Sequence, residues 1–307
     1  MKKTMLTTII FVMASQSFAG PLMERLQERR QERLMNKINQ ENSQNMANGT
    51  IGNRNMMDIS YGNTEKQKLD VYLPTVNSNK KAILMVHGGA WEIGDKRHSA
   101  VIKNKVKYFG SKGYTIISIN YDLSPDVTVE QQLVEVAKAL RFTQENANKW
   151  GFNPNNVVLM GHSAGAHLVS LLSTTQSVLS QYQLYPILGT VSLDSAAYDL
   201  YSVMSQPKHY GFYDKVFGTD PNYWKKMSPT YQLNAKVKPM YLVCSTKRDS
   251  NIDNSCEQAE NFAQKALSYG NHFIVDKEDK KHGQINDELG EDLIYTQKVE
   301  GFLNSLN

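Results

Sequence analysis

Residues 156–173 limit the possible fold most tightly. Asn156–Met160 is a short apolar run, and Gly161-His162-Ser163-Ala164-Gly165 follows with no spacer. Ser163–Ser173 then continues as an apolar helix. A strand that turns directly into a helix is the repeating joint of an α/β chain. The two glycines let strand and helix meet in a sharp turn. Ser163 is left at the strand end and at a helix N-terminus, where developing negative charge is favoured. G-x-S-x-G between a strand and a helix marks an exposed serine nucleophile. The alternative is a serine that only caps the helix.

The rest of the chain repeats that alternation. Met56–Tyr61 and Lys68–Leu73 read as two strands of a hairpin around Gly62-Asn63. Ala82–Val86, Tyr114–Asn120, Thr190–Leu193, Met240–Val243 and Phe273–Val275 read as further strands. Ser99–Phe109, Val129–Trp150, Glu257–Tyr269 and Leu289–Leu306 carry apolar residues at helical spacing. The expected fold is α/β: a mainly parallel central sheet, helices on both faces, and an N-terminal antiparallel hairpin. Between Asp194 and Lys238 the alternation breaks into an insertion, about 195–238, rich in Tyr, Phe and Trp and punctuated by Pro207, Pro221 and Pro229. It reads equally as an aromatic wall over a site and as packing of a long connection.

The first 55 residues stand apart. Residues 1–19 combine Lys2 and Lys3, an apolar stretch from Leu6 to Ala14, and Ser17-Phe18-Ala19 before Gly20. That is the pattern of an export signal peptide, too short for the roughly 20 residues of a membrane span. Export to a periplasmic or extracellular compartment is expected, with no integral membrane segment in the mature chain. Residues 20–55 read as a charged, partly helical leader, and 56–307 as one catalytic domain. The balance of 34 Lys+Arg against 30 Asp+Glu is too even for a nucleic-acid groove. Two cysteines cannot build a four-cysteine metal site. No metal or cofactor is expected. Oligomeric state is left open.

His87-Gly88-Gly89-Ala90-Trp91 directly follows the strand AILMV. Acyl transfer needs donors aimed at a developing oxyanion. The amides of Gly89, Ala90 and Ala164 are the expected donors; the alternative is a plain strand-ending turn. His87 reads as structural. A serine nucleophile also needs a base and an orienting acid. His282, in a loop after the strand HFIVD, is the expected base in preference to His272. The acid should follow MYLVCS. Asp249, five residues beyond Cys244, is the first choice and Asp253 the second. Cys244 and Cys256 flank that loop, and in an oxidising compartment they are expected to form a disulfide.

HGGAW at 87–91, NYDLSP at 120–125, GHSAGAHL at 161–168, the stretch Phe217–Pro229 and HGQINDELG at 282–290 resemble the α/β-hydrolase family. The similarity is greatest to its bacterial esterase and lipase branch, including acetyl-esterase-like and kynurenine-formamidase-like proteins. It covers about residues 56–307. It implies the α/β-hydrolase fold and a serine carboxylesterase acting on small-molecule esters. Asp122 stands where that branch usually has Arg. An aryl-formamide hydrolase is the nearest alternative, and a secreted binding protein on the same fold is the third.

Overall fold

The computed structural model describes residues 55–248 and 254–306. The signal-peptide pattern at 1–19, nearly all of the 20–55 leader, and both Asp249 and Asp253 lie outside the described residues.

β1 (Met56–Ser60) and β2 (Lys68–Tyr72) pair antiparallel, and β2 runs antiparallel to β4 (Thr115–Ile119). β3 (Ala82–Val86), β5 (Val157–His162), β6 (Gly189–Leu193), β7 (Met240–Ser245) and β8 (Ile274–Glu278) complete the sheet with parallel pairing. Among the described residues the order is β1-β2-β4-β3-β5-β6-β7-β8. The order places β5 between β3 and β6, with Val86 opposite Gly161 and His162 opposite Leu193. The carboxyl ends of these strands therefore lie side by side, where open α/β sheets build their sites.

Both faces of the central strands are buried, and the period of two divides their side chains between two cores. Ala82, Leu84 and Val86 of β3 join Val157 and Leu159 of β5 on one face. Ile83 and Met85 join Val158 and Met160 on the other. The first face is covered by α2 (Val129–Glu145), through Leu133, Val136, Ala137 and Leu140, and by α3 (Ala164–Thr174). The second is covered by α1 (Ser99–Ser111), through Val101, Ile102 and Phe109.

The helix expected over Val129–Trp150 ends at Glu145: Asn146 leaves the helical conformation at φ −94°, ψ 4°, and its side chain donates to Phe142 O at 2.9 Å. The short helix α4 (Gln176–Gln181) follows α3, and the aromatic insertion forms four short helices: α5 (Leu200–Met204), α6 (Gly211–Phe217), α7 (Pro221–Lys226) and α8 (Pro229–Gln232). α7 and α8 each begin at a proline, which suits a first helical turn whose N–H groups have no partner. α9 (Ser255–Leu267) follows β7, capped by Asn254, whose side chain accepts from Glu257 N. His282 opens a short helix, α10 (His282–Asp287), where a loop was expected. The Gln284 side chain accepts the Lys281 amide at 2.9 Å and closes that turn. α11 (Leu293–Ser305) ends the described chain, capped by Asp292.

Candidate active site

Ser163 sits at φ 57°, ψ −119°, a strained conformation for a residue with a side chain. The elbow is tight because a Cβ on Gly161 would lie 2.3 Å from the Gly165 carbonyl, and one on Gly165 would lie 2.2 Å from that of Val86. The Ser163 amide donates to Leu193 O at 3.0 Å, tying the elbow to the end of β6.

The HGG loop is strained in the same way. Gly89, Ala90 and Trp91 all have positive φ, 117°, 51° and 62°. A Cβ at Gly89 would stand 2.0 Å from the Ile93 carbonyl. Among the described residues, no intrachain acceptor takes the amides of Gly89, Ala90 or Ala164. The loop is held from behind. Trp91 O accepts from Ser124 N at 2.9 Å and Gln132 Nε2 at 2.8 Å. His87 is buried, its Nδ1 donates to Gly88 O at 2.8 Å, and its ring stacks on Tyr121. Burial pushes the imidazole down to about 4, so it stays neutral under the loop.

Trp91 joins three parts of the chain. Its Nε1 donates to His167 Nδ1 on α3 at 3.2 Å, and His167 Nε2 donates to Met227 O in the insertion at 2.7 Å. Phe217 meets Trp91 edge-on at 4.8 Å, and Tyr213 lies 5.8 Å away. These aromatics of the insertion pack on the residue that ends the HGG motif.

His282 reaches the site on α10. Its Nδ1 lies 2.6 Å from Asp194 Oδ2. Asp194 directly follows β6, with φ 59°, and is completely buried. Its Oδ1 accepts the Ser245 amide at 2.8 Å, and its Oδ2 also accepts Arg248 Nε at 3.0 Å. Burial alone would raise this carboxyl. The His282 hydrogen bond and the Arg248 charge outweigh burial and hold it far below its ordinary range.

Arg248 Nη2 also lies 2.7 Å from His282 Nδ1, and the ring nitrogen can serve only one of the two. Asp194 is buried and its carboxylate can only accept, whereas the guanidinium already has Asp194 Oδ2 and Asp194 O as acceptors. The proton therefore belongs on Nδ1, toward Asp194. Nε2 is then left with a lone pair, as a base requires. The His162 ring packs 4.5 Å from that of His282, and its Nε2 donates to His282 O at 3.0 Å.

The carboxylate on His282 is thus one that sequence reasoning missed. It searched the loop after β7 for the acid, and both candidates there, Asp249 and Asp253, lie outside the described residues. The signal for Asp194 was an aspartate directly ending an apolar strand, followed by Ser195, Ala196 and Ala197. His272 is exposed and begins before β8. Cys244 and Cys256 are joined by a disulfide with Cα atoms 5.0 Å apart, closing the loop that begins with Arg248's neighbours. Asp122, in the NYDLSP segment, accepts from Thr64 Oγ1 and Gln67 Nε2.

A serine elbow after β5, beside a glycine loop after β3, on this strand order is the arrangement of the α/β-hydrolase superfamily. Within it, the chain belongs to the BD-FAE family, whose model matches residues 69–266. Esterase B from Lactobacillus rhamnosis has a similar structure, with a TM-score of 0.71 at 17% identity over 90% of this chain and 95% of that one. A truncated carbohydrate esterase from gut microbiota gives 0.70 at 20%, over 83% of this chain and 97% of that one. These two likenesses show the fold.

Among curated proteins, kynurenine formamidase of Salmo salar is 28% identical over 49% of this chain and 48% of its own length. The isoprenylcysteine alpha-carbonyl methylesterase ICME of Arabidopsis thaliana is 25% identical over 69% and 52%. The esterase LipQ of Mycobacterium tuberculosis is 32% identical over 51% and 35%. The chain spans about half the length of the first two of these relatives. Among the described residues no helix is long and apolar enough to cross a membrane.

Proposed function

We propose that the protein is a serine hydrolase of carboxylic esters with Ser163 as nucleophile, His282 as base and Asp194 as the orienting acid. The observation that carries this reading is the His282–Asp194 hydrogen bond at the edge of the sheet where the strained Ser163 elbow ends. Ser163 Oγ attacks the ester carbonyl while His282 Nε2 takes its proton. The amides of Gly89, Ala90 and Ala164 receive the oxyanion. His282 then returns the proton to the leaving alcohol, and water releases the acyl group by the same steps. The esterase relatives support the reaction class. Short acyl chains are the preferred substrates in this reading, because Tyr213 and Phe217 of the insertion pack on Trp91, beside the HGG loop.

Kynurenine formamidase among the relatives favours a second reading, hydrolysis of an aryl formamide by the same residues. The N-terminal pattern at 1–19 supports export, and a disulfide suits an oxidising compartment. The test is fluorophosphonate labelling of wild type and Ser163→Ala, with turnover of p-nitrophenyl esters from acetate to dodecanoate and of N-formylkynurenine. Labelling that survives Ser163→Ala overturns the nucleophile. A rate maximum at octanoate or longer overturns the short-chain preference.

A further inference from the structure

The proposed base rides on a helix of six residues, which cannot hold its own shape in isolation. Its carbonyls are held from outside. His162 Nε2 donates to His282 O at 3.0 Å. Tyr295 Oη, from α11, donates to Ile285 O at 2.9 Å. Lys105 Nζ, from α1, donates to Asn286 O. Asn104 Nδ2 donates to Asp287 O at 2.7 Å. The last three carbonyls of α10, which a helix leaves without backbone partners, are thus each taken by a side chain of a neighbouring helix.

Lys105 is the unusual member. It is 1% exposed, and a buried lysine is costly unless its amine is put to use. It also donates to Ala100 O at 2.8 Å, in its own helix. Burial pushes the amine down to about 7, so much of it is neutral at neutral pH. A neutral amine still carries two N–H groups, enough for both carbonyls. An apolar residue would fill the same space without the desolvation cost, but it would release the C-terminal end of α10.

Resting on the reading of the site given above, we infer that Lys105 and Tyr295 are positioning residues for His282, acting through the carbonyls of Asn286 and Ile285. Neither touches the reacting atoms. Together they restrain the rotation of α10 that would carry the imidazole away from Asp194 and Ser163. A displacement of about 1 Å at a reacting group can cost about 10²-fold in rate.

Lys105→Met keeps an unbranched stem, one atom shorter, and removes the donors. Tyr295→Phe keeps the ring and removes the hydroxyl. Each variant should lower kcat by about 10-fold or more with KM within about twofold. Each should also weaken the low-field proton resonance of the His282–Asp194 hydrogen bond. A role confined to stability would lower the thermal midpoint and leave kcat of the folded enzyme and the resonance unchanged. Wild-type kcat with an intact resonance in folded Lys105→Met overturns the inference. Should that variant not fold, the same result in Tyr295→Phe does so. Failure of the site reading is separate: wild type that does not label at Ser163, or turnover that survives His282→Ala, removes that reading and this inference with it.

Discussion

His282 Nδ1 and Asp194 Oδ2 lie 2.6 Å apart although 88 residues separate them in sequence. The carboxylate can only accept, so the contact sets the imidazole proton on Nδ1. Asp194→Asn preserves the shape and can offer an N–H in place of a lone pair, favouring the opposite tautomer. Turnover should fall by up to about 10⁴-fold. Asp249→Asn should have a far smaller effect. Steady-state rates of the two purified variants decide between them, and the reverse ranking would return the role to Asp249.

The HGG loop tolerates no side chain at its second glycine. Gly89 has φ 117°, and a Cβ there would lie 2.0 Å from a backbone oxygen of Ile93. Gly89→Ala must shift the loop and with it the amides proposed to receive the oxyanion. Loss of one such donor typically costs about 10²–10³ in kcat. The expected outcome is a loss of that order with Ser163 still labelled slowly by fluorophosphonate. Wild-type turnover would place the oxyanion donors elsewhere.

The Cys244–Cys256 disulfide closes a 12-residue separation across the loop that contains Arg248. In the chain-entropy model a loop of about this size is stabilised by roughly 3 kcal/mol. Cys256→Ser should therefore lower the thermal midpoint by several degrees. It should also lower turnover, because Arg248 Nε and Nη2 both bond Asp194 from that loop. Differential scanning calorimetry with and without reductant measures the first effect. An unchanged midpoint would mean that the bridge adds nothing to the folded state.

His167 ties stability to pH. Burial pushes its imidazole from 6.5 down to about 4, and both of its nitrogens are engaged when neutral. Protonation would set a second N–H against Trp91 Nε1. Between the two values the unfolded chain binds the proton and the folded chain does not. Its contribution is complete above about pH 6.5 and is lost as pH falls toward about 4, by up to about 1.4 kcal/mol per pH unit. His87 is pushed down in the same direction by burial. Denaturant unfolding at several pH values should show stability falling on that side, with a shallower slope in His167→Gln. An equal slope would assign the acid sensitivity to other groups.

Much of this protein is legible along the chain because its signals are local. The strand AILMV is predicted and observed over the same residues, since an apolar run of five between turn residues has few other uses. The elbow at Ser163 and the glycine loop at 88–89 are likewise short segments whose geometry depends on neighbours in sequence. The hairpin, the parallel sheet and the helices over it follow from periodicity.

Tertiary structure decided what depends on which strand lies beside which. Asp194 has no motif around it. It meets His282 because β6 lies between β5 and β7 and ends where α10 crosses. The same holds for Lys105, whose sequence position on an amphipathic helix says nothing of the carbonyl of Asn286, 181 residues away. Local sequence sets backbone conformation through sterics and hydrophobic period. The pairing of a buried charge or amine with its acceptor is a long-range event, governed by the cost of leaving either one unsatisfied away from water.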